Sequence, residues 1–282
     1  MAASPRAALA ATFLALCAPM AGGTIAHAAD FPDIAWLRGS VPVGYARWDG
    51  LILGAEAGKS TMRADFGNAT SSETAYILRN STVEDEFQVS NWTALPNDTT
   101  NSTSYGGFIG YNIQMEQLVL GADVGYTRPS SLQSAVSDSI SRSVRTSDGY
   151  QNDVTVTAAS SVKLVDFGTF RLRAGYAFGQ FLPYAMIGAA VGRFNYTSSS
   201  TVTASGVDVS GGGGLPYSFG PQTDSEGQDN KFAAGFVAGL GVDVAVTPNV
   251  FVRGEWEYVG FASIGGIRTD VSTLRAGIGL RF

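Results

Sequence analysis

The last twelve residues of the chain alternate without a break. Leu274, Ala276, Ile278, Leu280 and Phe282 fall on one face of an extended chain, and Thr273, Arg275, Gly277, Gly279 and Arg281 on the other. Successive side chains of a strand point to opposite faces, so this pattern reads as a strand with one apolar and one polar face. The pattern recurs. Residues 232–246 set Phe232, Phe236, Leu240 and Val244 against Gly235, Gly239, Gly241 and Asp243. Residues 107–115, 118–127, 170–178 and 250–258 behave alike, and 51–58 and 182–196 do so more weakly. That makes eight segments, most of about 9–15 residues, and a strand that crosses a bilayer needs about 9–11.

The connections alternate in length. Short ones sit near Glu116, near Gln180 and at Thr247-Pro248-Asn249. Long ones run over 60–103, 128–161 and 197–230, with a smaller one at 262–270. Short turns on one rim and long loops on the other are the layout of a transmembrane β-barrel. In lipid every backbone N–H and C=O must bond internally, so the sheet has to close on itself. A soluble barrel with the same apolar face turned inward would carry a richly charged outer face. Charged residues make up only 15% of this chain, against roughly 25% in an ordinary domain, and the non-apolar face is full of glycine. The expected fold is all-β: an eight-stranded antiparallel up-and-down transmembrane β-barrel with long loops on one rim and short turns on the other. Eight strands enclose an interior just wide enough for side chains, which argues against a wide pore.

The N-terminus reads as an address. Arg6, the apolar run 7–16 and the Ala26-His27-Ala28 site make a secretory signal peptide, cleaved after Ala28. The expected divisions are a signal peptide at 1–28, a periplasmic segment at 29–47 and the barrel at 48–282, exported to the outer membrane of a Gram-negative cell. Cleavage removes Cys17 and His27, the one Cys and the one His. The mature chain then has no Cys nucleophile, no Cys/His metal site and no His base. No catalytic residue, metal ligand or cofactor is expected, and the protein is read as a non-enzyme. A formal net charge of −6 also argues against nucleic acid as a partner.

On the polar faces the alternation turns Glu56, Asp123, Asp243, Glu255 and Glu257 inward, together with Arg171, Arg173, Arg193, Arg253, Arg275 and Arg281. Buried charges persist only when paired. A hairpin centred on Pro248 puts Asp243 opposite Arg253, and one centred near Gly265 puts Glu255 opposite Arg275. This lumen network reads either as a salt-bridged plug or as a charged constriction that selects ions. Aromatic residues near the strand ends (Trp48, Tyr105, Tyr126, Phe181, Tyr184, Tyr196, Trp256, Tyr258) suit two interfacial girdles. The long loops carry more acids than bases, so the exposed rim is expected to be negative.

Several motifs carry a resemblance. Gly106-Gly107-Phe108-Ile109-Gly110-Tyr111-Asn112, Leu120-Gly121-Ala122-Asp123-Val124-Gly125-Tyr126, Arg171-Leu172-Arg173-Ala174-Gly175-Tyr176-Ala177-Phe178 and Phe181-Leu182-Pro183-Tyr184 resemble the OmpA-like, opacity-type surface-antigen family, often called the porin family. The match runs over about 48–282, although loops 60–103 and 197–230 fit none of the family's patterns. The terminal strand, with Leu274, Ala276, Ile278, Leu280 and Phe282, is similar to the signal read by the barrel-assembly machinery. The resemblance implies a structural outer-membrane protein and surface antigen, adhesive through its extracellular loops. Implied partners are outer-membrane lipids and lipopolysaccharide, the assembly machinery and an extracellular ligand of unknown identity. The alternative is a narrow, low-conductance channel gated by the lumen charges.

Overall fold

The computed structural model describes residues 46–92 and 95–282. Among these residues are nine strands: β1 (Gly50–Asp65), β2 (Asp98–Met115), β3 (Leu118–Pro129), β4 (Leu132–Arg145), β5 (Tyr150–Tyr176), β6 (Phe181–Asp208), β7 (Tyr217–Ala245), β8 (Val250–Phe261) and β9 (Arg268–Arg281). Each pairs antiparallel with its neighbours. β9 returns to β1, with Leu280 opposite Leu53, and β3 pairs with β5, with Asp123 opposite Arg171. These two pairings close the sheet into a barrel.

The expectation of eight strands needs one correction. β3 covers the lower part of β5, from Tyr176 to Phe167, and β4 covers its upper part, from Leu164 to Gln151. β3 and β4 therefore share one barrel position, interrupted at Ser130 and Ser131. The barrel has eight positions and nine strands. The tight turns fall where the sequence placed them, at Glu116, Gln180, Pro248 and Gly265. Gly265 and Gly266 both take positive φ there, at +53° and +74°, which a residue without Cβ adopts freely.

The larger correction concerns the long loops. Most of 128–161 and 197–230 is sheet, and β5, β6 and β7 run for 27, 28 and 29 residues. At about 3.3 Å per residue each is roughly 90 Å long, far more than a bilayer needs. The segment between β1 and β2 folds into α1 (Ser71–Ile77), α2 (Thr82–Phe87) and a 3₁₀ turn (Val89–Asn91). Ser81 caps α2 by accepting a hydrogen bond from the Glu84 N–H.

The lower part of the barrel is inside out. Ile187 is 66% exposed and Phe236 57%, whereas Arg171 and Glu257 are fully buried. In the upper sheet the polarity reverses. Val154, Val156, Val202 and Ala204 are buried and pack with Leu78, Val83 and Val89 from the helical segment. Thr155, Thr157, Thr201 and Thr203 occupy the opposite face. In β5 the reversal coincides with the register shift between Leu164 and Asp166, whereas β6 keeps its even-numbered residues inward from Leu182 to Ala204.

Candidate functional site

The lumen is filled in three layers. At the short-turn end Trp48, Ile52, Phe108, Leu182, Met186 and Phe251 form an apolar layer. At the long-strand end Met62, Leu132, Phe167, Phe194, Phe261 and Val271 form another. Between them lies the charge network.

That network is built from cross-strand neighbours. Asp243 stands in register with Arg253, Glu255 with Arg275 and Asp123 with Arg171. Arg253 binds Asp243 in a fork, with Nε and Nη2 each 2.8 Å from a carboxylate oxygen. Arg275 reaches Glu255 through Nε at 2.8 Å, Glu257 through Nη2 at 2.7 Å and Glu56 through Nη1 at 3.0 Å. Arg171 donates Nε to Asp123 at 2.6 Å and Nη1 to Glu255 and Glu257 at 2.8 and 2.9 Å. Arg173 donates to Asn112 at 2.9 Å and lies 3.5 Å from Asp243. The Tyr184 hydroxyl donates to Glu255 at 2.8 Å. Its ring lies against Gly241, where a Cβ would sit 2.4 Å from the ring atoms, so only glycine admits this tyrosine.

The two pairs derived from the hairpins are thus in contact. The Asp123–Arg171 pair was not derivable in that way, because the long connection 128–161 between the two segments sets no register. Its only trace in the sequence is that both residues sit on polar faces. The carboxylates Glu56, Asp123, Asp243, Glu255 and Glu257 face four guanidiniums, those of Arg171, Arg173, Arg253 and Arg275. Removing either partner from such a site leaves an uncompensated buried charge, which is far costlier than the intact pair.

Two expected members of the network lie elsewhere. Arg193 points outward, with about a third of its side chain exposed, and pairs with Asp166 on the outer face. In β6 the lumen face is the apolar one, carrying Met186 and Phe194, so polarity alone misassigns the strand at the rim. Arg281 does face inward, but at the short-turn end. It donates to the Pro248 carbonyl at 2.6 Å and lies 4.9 Å from the centroid of the Trp48 ring, apart from the ladder.

The aromatic girdles are similarly divided. Tyr105, Tyr126, Phe181 and Trp256 face outward, whereas Trp48, Tyr184 and Tyr196 are buried inside. The Tyr196 hydroxyl donates to Glu226 at 2.7 Å, and this bond, aided by burial, pushes the phenol up to about 12. Leu274, Ala276, Ile278, Leu280 and Phe282 all project outward. Ala26 and Ala28 lie outside the described residues. Among the described residues no group of three His, Cys, Asp or Glu side chains is arranged to hold a metal ion.

A closed sheet with an apolar exterior and a charged, desolvated interior defines an integral membrane β-barrel. The chain belongs to the family described as the outer membrane protein beta-barrel domain, which it matches over residues 14–282, and it resides in the outer membrane. It is similar to the 25 kDa outer-membrane immunogenic protein of Brucella ovis, at 25% identity over 63% of this chain and 62% of that protein. The protein of the same name from Brucella abortus biovar 1 is also 25% identical, over 63% of this chain and 64% of that one. The chain thus aligns with less than two thirds of these curated relatives. Among solved structures, Ail of Yersinia pestis is 11% identical, with a TM-score of 0.32, over 83% of this chain and all of that one. The outer-membrane protease OmpT of Escherichia coli is 10% identical, with a TM-score of 0.35, over 83% of this chain and 97% of that one.

Proposed function

We propose that this chain is a closed outer-membrane barrel whose extracellular sheet does its work, as a surface antigen with an adhesive or ligand-binding role. The carrying observation is the lumen. Apolar layers lie on both sides of the ion pairs, and Arg171, Arg253 and Glu257 are at most 1% exposed. A passage for hydrated ions needs continuous polar surface, which these layers interrupt. The strands that project beyond the bilayer supply the surface for recognition. On this reading the chain is not an enzyme, and it meets lipopolysaccharide, the barrel-assembly machinery and an extracellular ligand.

One observation favours the channel alternative. Arg171 Nη2, Arg253 Nη1 and Glu257 Oε1 are buried without a hydrogen-bond partner, so water could thread between them. Planar-bilayer recording of the purified mature barrel decides between the readings. Silent bilayers, together with loss of cell-surface binding after protease trimming of intact cells, support the closed reading. Discrete conductance steps that change size in Glu257→Gln overturn it.

A further inference from the structure

The sheet that rises above the bilayer has an open edge. β7 pairs with β8 only from Gly235 onward, and among the described residues no strand lies beside 217–233 on that side. Two register shifts against β6, between Val202 and Ala204 and between Phe194 and Tyr196, bound a regular stretch at 222–228. This stretch is about 23 Å long and pairs with β6 alone. In an antiparallel sheet alternate residues turn both N–H and C=O away from a given neighbour, so the free side of 222–228 presents a row of backbone donors and acceptors. Every residue of the stretch is exposed except half-buried Asp224. The other edge of the upper sheet, β4, is braced by the helical segment. Trp92 lies 5.0 Å from the Arg142 guanidinium, and the Ser147 N–H donates to Glu86 at 3.1 Å.

The open edge is also where the upper sheet keeps its acids. Asp224 and Glu226 lie within 222–228 and Asp229 just past it, and no Lys or Arg occurs between Tyr217 and Asn230. The two inner strands hold a single charge, Asp153, over 151–162 and 197–207. Asp224 stands in register with Ser200 and Glu226 with Ser198, so the two carboxylates share one face at alternate positions. No ion pair involves either among the described residues, and Glu226 accepts from the Tyr196 hydroxyl. A second copy fits this edge poorly. Copies in one membrane point the same way, so β7 against β7 sets carboxylate beside carboxylate, and like charges opposite each other are destabilising.

We propose that 222–228 binds an extended, cation-bearing segment of another polypeptide by strand addition, with Lys or Arg at alternate positions of that segment beside Asp224 and Glu226. Main-chain hydrogen bonds along the edge supply affinity, and the alternation of side chains supplies selectivity. Pro221, which has no N–H, and Asn230, at φ +56°, end the ladder on its two sides. This partner class rests on reading the extracellular sheet as the recognition surface. Bilayer recording tests that reading and peptide binding tests this one, so their failures are distinguishable.

The test is fluorescence anisotropy of a labelled peptide of alternating Thr and Lys, titrated with the mature barrel in uncharged detergent. The same peptide with its central threonines replaced by proline keeps its charge but loses ladder donors, and should bind about tenfold more weakly. D224N/E226Q should weaken binding of the alternating peptide about tenfold, and the control D138N/D153N should stay within about twofold of the parent. On binding, hydrogen exchange should slow at 222–228 and stay unchanged at 132–145. Equal binding of the proline peptide, unchanged binding by D224N/E226Q, or protection that falls outside 222–228 overturns the proposal. Self-association of the barrel in place of peptide binding overturns it too. A heat-dependent shift on cold SDS gels reports folding. If the double variant fails that check, the proline comparison and the exchange map decide on the parent protein.

Discussion

β5 passes through two solvents, and its halves obey opposite rules. Below its register shift, Phe170 and Leu172 face outward, and Arg171 and Arg173 are buried. Above it, Val154 and Val156 are buried, and Thr155 and Thr157 face outward. Lipid demands an apolar exterior and tolerates charge inside only as paired networks. Water accepts a hydroxyl-rich exterior and drives apolar groups inward. One strand satisfies both by shifting register where the solvent changes, because a one-residue slip exchanges the two faces.

The largest expected effect tests the lumen half. Arg171→Leu strands Asp123, Glu255 and Glu257 without one of their cations, so we expect a loss of about 3–5 kcal/mol in urea unfolding, and with it the heat-modifiable band. A silent substitution would mean that solvent reaches the network.

Next comes a direct comparison of the two halves on one strand. Leu172→Arg puts a charge on the lipid face and should cost about 2–4 kcal/mol near the bilayer midplane. Thr157→Arg, on the outward face of the same strand in water, should stay within about 0.5 kcal/mol. Equal costs would remove the distinction between the halves.

Val156→Asp places a charge in the cluster beneath the helical segment, where burial of a valine is worth about 1.5–3 kcal/mol. Limited proteolysis should then cut within 66–92, while the heat shift of the barrel persists. Loss of both together would show the two halves to be one cooperative unit.

The smallest effect comes from Tyr196→Phe, which deletes the bond to Glu226 and should cost about 1 kcal/mol. The phenol is pushed up to about 12, so the folded state favours its protonated form. This contribution is complete below about pH 10 and disappears as the pH rises through about 12. The stability gap between parent and variant should therefore close over that window. A gap independent of pH would place the effect in packing instead.

Legibility in the sequence followed the same division. The lipid-crossing strands were readable because lipid enforces alternation, as in 271–282 and 232–246. The Asp243–Arg253 and Glu255–Arg275 pairs were readable because tight turns set the register of adjacent strands. The upper sheet was not. A stretch such as Thr155-Val156-Thr157 alternates, but with small residues and no charge, and it lies amid serines and glycines that also make loops. Arg193 was misplaced because the rule that polar residues face the lumen lapses where the outer face leaves the lipid.

By itself the sequence determined that the chain pairs strands, which face of most of them meets lipid, where the short turns fall and which charges are available for the interior. Those are local properties, set by a period of two and by turn chemistry. Only the tertiary structure decided that β3 and β4 share one place beside β5, that apolar layers lie at both ends of the ion ladder, and that the long connections stand up as a sheet. Each depends on residues far apart in the chain meeting across a closed barrel, and closure is a property of the whole sheet that no single strand encodes.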